Sequence, residues 1–120
     1  MLQWIQQPQK TKLCGQIAVA VIANITLEKS IELFGKRGCT RTKDVIQVLR
    51  RLGLDCSNRL LRKQITFGIA KLSYKNSKSH WVVIDNNKIF DGVYGNSNGE
   101  VSWPEGARLT SYLSIKNMQE

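Results

Sequence analysis

The sequence predicts an α+β domain, with helices in its first half packed on an antiparallel sheet built from its second half. Three observations carry that expectation. Apolar residues recur at helical spacing as far as Gly53, and from Ile65 onward the pattern turns to short β-rich runs bounded by Asn, Gly and Ser. The third is a tight hairpin signal, Asn86-Asn87, between two of those runs. A chain of 120 residues with 42% hydrophobic content and two prolines suffices for one domain, 1–120, with its own core.

From Gly15 to Ala23 the chain is apolar nearly all round apart from Gln16, which reads as a buried central helix with Cys14 at its mouth. Asn24-Ile25-Thr26 breaks it. Leu27, Ile31 and Phe34 then lie one turn apart, and Gly35 ends this second helix. The third begins near Thr42 as N-cap, with Asp44 in its first turn and Val45, Val48, Leu49 and Leu52 as its apolar stripe. Arg50 and Arg51 suit its C-terminal end, and Gly53 closes it. Strands are expected at 65–74, 80–85, 88–92 and 108–115.

The hairpin fixes a register. A two-residue loop opposes 85 with 88, 84 with 89, 83 with 90 and 82 with 91. Side chains alternate along a strand, so His80 shares a sheet face with Val82 and becomes a diagonal neighbour of Asp91, about 7–8 Å away at the backbone. The sole histidine thereby acquires a carboxylate partner. A one-residue slip would undo the pairing.

Cys14 completes a chemical set. A cysteine at a helix N-terminus feels the positive end of the dipole and unpaired N–H groups, which favour thiolate over thiol. A nucleophile also needs a base, and the base an orienting partner. Cys14, His80 and Asp91 supply those three types. Any one of them alone reads as packing or surface; together they read as a site.

The stretch "LCGQIAVAVI", followed by "SHWVVID" and "IFDG", resembles the papain-like cysteine peptidases. It is most similar to the bacteriocin-leader (double-glycine) peptidases and their small standalone relatives. The segment "GKRGCTRTKDVIQVLRRLGL" resembles the helical connection between those motifs. The resemblance implies a papain-like fold, Cys14 as nucleophile, His80 as general base and acid, and Asp91 as the residue fixing the imidazole tautomer. It also implies an oxyanion site made by the Cys14 backbone N–H and a glutamine amide. That family places the glutamine six residues before the cysteine, where this chain has Pro8, flanked by Gln7 and Gln9. Gln7 is preferred, because Gln-Pro can start the same loop with one extra residue. The family's aspartate is typically followed by proline; Gly92 here implies a looser strand end. No transporter segment accompanies the motifs, which implies an independent enzyme or a substrate other than a double-glycine leader.

The remaining features narrow the alternatives. The formal charge of +9 comes from scattered basic residues, and "RR" at 50–51 and "LLRK" at 60–63 lack interleaved aromatics for base stacking. Nucleic acid is therefore an unfavoured partner, and a peptide or protein substrate the favoured one. The competing functions are a peptide-binding module of the same fold without catalysis, and a basic nucleic-acid-binding protein. Cys14, Cys39 and Cys56 are odd in number and lack metal-ligand spacing, so reduced thiols are expected, with no metal or cofactor. The absence of a signal pattern and of a membrane-length apolar run points to the cytoplasm. Trp4, Trp81 and Trp103 are assigned to core or edge packing ahead of lining a substrate groove.

Overall fold

The computed structural model describes residues 2–8, 12–75, 78–86, 88–96 and 98–116. Its elements are α1 (Cys14–Ala23), α2 (Leu27–Phe34), α3 (Thr42–Arg51), β1 (Phe67–Ser73), β2 (Ser79–Asp85), β3 (Lys88–Phe90) and β4 (Arg108–Ser114). The strands form one antiparallel sheet in the order β3-β2-β1-β4, and the three helices pack on it. The class is α+β.

Helix α1 is buried from Gly15 through Ile22, as its all-round apolar sequence requires. Its polar exception has a structural reason. Gln16 is fully buried, and its Nε2 donates to the carbonyls of Lys36 at 3.2 Å and Gly38 at 3.0 Å. Ser30 Oγ donates to the Gln16 carbonyl at 2.7 Å. One side chain thus ties the α2–α3 loop and the start of α1 together.

Helix α2 starts at Thr26, whose hydroxyl accepts the Lys29 N–H at 3.1 Å, and ends at Gly35 in the left-handed region (φ 73°). Helix α3 corrects the Thr42 expectation. Arg41 is the N-cap and Thr42 the first helical residue, because Asp44 reaches back to accept the Arg41 backbone N–H at 2.9 Å. Its far end closes as expected, with Gly53 N–H on the Arg50 carbonyl and Leu54 N–H on that of Leu49.

In the sheet, Val83 pairs with Phe90, Ile84 with Ile89 and Asp85 with Lys88, the register the hairpin predicts. Asn86 adopts the left-handed conformation (φ 57°); Asn87 lies outside the described residues. Strand β3 ends at Phe90, two residues earlier than expected, because Asp91 turns the chain with its own carboxylate. The strand end is also not loose, contrary to the reading of Gly92. A Cβ there would stand 3.1 Å from the Ile5 carbonyl and 3.2 Å from the Gln7 nitrogen, so glycine lets the N-terminal segment press against it. On the other side of the sheet, Leu61 exchanges backbone hydrogen bonds with Tyr112 at 2.7 and 2.8 Å and covers the edge of β4.

Each face of the sheet carries an apolar cluster. Ile69, Trp81, Val83 and Leu113 meet Ile17, Val21, Val45 and Leu49 of the helices. Ala70, Leu72, Val82 and Ile84 face the opposite way, packed with Ile89, Leu109 and Tyr112 of the neighbouring strands and with Trp103. Full burial of each such aliphatic side chain contributes about 1.5–3 kcal/mol. Among the described residues, no helix is long and apolar enough to cross a membrane.

Candidate active site

Strand alternation places His80 on the face opposite Trp81, seven per cent exposed and directed toward the segment that leaves β3. Its Nε2 lies 2.7 Å from Asp91 Oδ1. A carboxylate only accepts, so Nε2 carries the proton and Nδ1 is the nitrogen left for the thiol.

Asp91 is fully buried and correspondingly well held. Oδ1 also accepts the backbone N–H of Val93 at 2.9 Å and of Tyr94 at 3.1 Å, and Oδ2 accepts the Trp103 indole N–H at 2.9 Å. Its carbonyl takes Gly95 N–H at 3.0 Å and the Trp4 indole N–H at 3.4 Å. Burial alone would raise its pKa. The His80 hydrogen bond and charge, with the two backbone donors, outweigh burial and hold the carboxyl below its ordinary range.

Cys14 opens α1, where no side chain caps the helix. Burial pushes its thiol up, but a hydrogen bond to His80, the imidazole's charge and the backbone N–H groups of Trp81 and Gly15 together bring it below 9.0. His80 responds in the opposite sense. Burial pulls the imidazole down, while Asp91 and Cys14 more than offset this and lift it to about 9. Both shifts favour a thiolate beside an imidazolium over the neutral pair.

The close fit around Cys14 depends on its neighbour. A Cβ on residue 15 would overlap Thr40 Oγ1, so glycine lets the α2–α3 loop close on the helix start. The Trp81 indole N–H reaches the Thr40 carbonyl at 3.4 Å and joins that loop to β2. On the far face, the Tyr94 ring meets His80 edge-on at 6.3 Å between centroids, and Tyr74 meets Tyr94 at 6.2 Å. Burial, the Tyr94 hydroxyl and the anionic Asp91 and Cys14 raise the Tyr74 phenol, which stays neutral.

The structure therefore brings Cys14, His80 and Asp91 together. Gln7 is half-buried; its backbone N–H donates to the Gly92 carbonyl at 2.7 Å, which brings it to the residue following Asp91. Gln9 lies outside the described residues. Cys39 is exposed, and Cys56 is buried in the core, where desolvation raises its thiol. Among the described residues, no three His, Cys, Asp or Glu side chains come together as metal ligands. All three tryptophans do more than pack, since Trp4 and Trp103 bond Asp91 and Trp81 bonds the Thr40 carbonyl. The turn "DGVYG" carried a signal for the two backbone donors, because Asp before Gly favours such a turn. Nothing local marked Trp103.

No protein-family model matches the chain, and no curated protein matches it either.

Proposed function

We propose that the protein is a cysteine peptidase of papain-like architecture that hydrolyses peptide bonds through Cys14, His80 and Asp91. One observation supports this above the others. A buried histidine bonds a fully buried aspartate through Nε2 at 2.7 Å while its other side engages a cysteine at the start of a buried helix. A packing role alone leaves unexplained why an acid, a base and a thiol should share one interior.

In the proposed reaction the Cys14 thiolate attacks the scissile carbonyl carbon, and the C=O π electrons move to oxygen. Backbone N–H groups at the start of α1 and the Gln7 amide stabilise that oxyanion. Collapse of the intermediate breaks the C–N bond, and His80 Nδ1–H gives its proton to the departing amine. The acyl group remains on sulfur as a thioester. Neutral His80 then takes a proton from water as the water oxygen attacks the thioester, and sulfur leaves as thiolate with the imidazolium restored. Asp91 keeps Nε2 protonated throughout and favours the charged ring.

A proteome-derived peptide library, incubated with the protein and read by mass spectrometry, tests the reading. New peptide termini should appear with wild type and vanish with Cys14→Ala. No new termini with wild type, or equal cleavage by Cys14→Ala, would refute it.

A further inference from the structure

The helices cover only part of the sheet face they pack on. Along β1 that face runs Ile69, Lys71, Ser73, opposite Val83, Trp81 and Ser79 of β2 and Leu113 and Ser111 of β4. Ile69, Val83 and Leu113 lie under the helices; past Trp81 the face turns polar. There a hollow of about 350 Å³ is lined by Leu60, Arg62, Lys71, Ser73, Ser79, Thr110 and Ser111.

Its chemistry is one-sided. Two cations and four hydroxyls line it, and no carboxylate does. Among the described residues, the ion pairs involve Lys29, Lys36, Arg37, Arg41 and His80, and neither Lys71 nor Arg62. Lys71 Nζ is held over the Trp81 ring at 5.5 Å from its centroid, which fixes the cation without neutralising it. Ser73 Oγ and Thr110 Oγ1 bond each other at 2.9 Å and Thr110 also bonds the Lys71 carbonyl at 3.3 Å, so this wall is preorganised.

The hollow lies on the Trp81 face of the sheet, the face against which Cys14 packs, while the His80 side chain leaves β2 on the other face. Ser79 precedes His80 in β2, and Trp81 follows it. Contacts run from Lys71 to Trp81, from Trp81 to Thr40, and from Thr40 to Gly15 beside Cys14.

We propose that this hollow is a subsite for an acidic side chain, Glu or Asp, a few residues from the scissile bond of the peptide substrate, held by Lys71 and Arg62 with the hydroxyls of Ser79 and Ser111. The proposal rests on the peptidase reading and names its substrate class. The overall charge of +9 attracts anions in general, so the test must separate this hollow from bulk charge.

The probe is the same peptide library, passed at low salt over immobilised Cys14→Ala protein, which binds without cleaving. Acidic peptides should be enriched among those retained. The enrichment should fall about tenfold when Lys71→Met and Arg62→Gln are added, and stay unchanged when Lys29→Met and Lys88→Met are added instead. Far-UV circular dichroism and melting temperature establish that each variant is folded. Equal losses from both pairs, or no enrichment, would overturn the subsite. Wild-type cleavage sites should also carry Glu or Asp at a fixed spacing from the cut. Cleavage without that preference overturns the subsite and leaves the peptidase standing. Acid-dependent retention with no cleavage by wild type overturns the peptidase and leaves an acidic-peptide site.

Discussion

His80 has two ring nitrogens, and the site divides them: Nε2 to Asp91 at 2.7 Å, Nδ1 to the side of Cys14. Asp91→Asn tests that division. The amide keeps the shape but offers one acceptor atom where the carboxylate offers two, against donors from His80, Val93, Tyr94 and Trp103. It cannot favour the cation, so the His80 pKa should fall from about 9 toward its ordinary 6.5. The sign follows directly: a raised imidazole pKa means the imidazolium survives through neutral pH, and lowering it leaves the ring neutral and the thiolate unsupported. Turnover of a peptide cleaved by wild type should drop, by as much as about 10⁴-fold as in a related triad. Histidine ring NMR across pH reports the pKa. Wild-type turnover in Asp91→Asn, with His80 still titrating near 9, would contradict the assignment.

At the scale of elements, the hairpin carries the geometry and the segment after it secures it. Trp103 comes from the loop that folds over the second face of the sheet, and its indole N–H bonds Asp91 Oδ2 at 2.9 Å. Trp103→Phe keeps most of the apolar contact and leaves a buried carboxylate oxygen without that donor. It should cost about 1–3 kcal/mol of stability, read by urea denaturation, and reduce turnover. Wild-type stability would show the bond contributes nothing. The hairpin itself was legible because period-two alternation and a two-residue turn determine register without tertiary information, and the three observed pairs follow it. The start of α3 was misread because Thr42 is a good capping residue by type, whereas the Asp44 side chain selects Arg41 one position earlier. Trp103 was not legible as a partner of Asp91. Its approach runs through an irregular loop whose path no local pattern encodes. The role of Gln16 was hidden for a similar reason, since it bonds carbonyls that only the folded α2–α3 loop presents.

At the scale of the whole molecule, the candidate site exists only through packing, because Cys14 and the hairpin are brought together when α1 docks on β2. The unfolded chain has no such pair, so the perturbed thiol is a property of the fold and should disappear with it. Rates of alkylation by iodoacetamide, measured for each cysteine by mass spectrometry from about pH 4 to about pH 10, in native buffer and in urea, read this directly. A thiol whose folded pKa lies below 9.0 gains reactivity at lower pH in the native protein and loses that advantage on unfolding. Native Cys14 should therefore label at lower pH than the same residue in urea. At neutral pH it should outpace Cys39 although Cys39 is exposed, with core-buried Cys56 slowest. In urea the three should label alike. A native Cys14 curve that coincides with its curve in urea, or that lags Cys39 at neutral pH, would contradict the account.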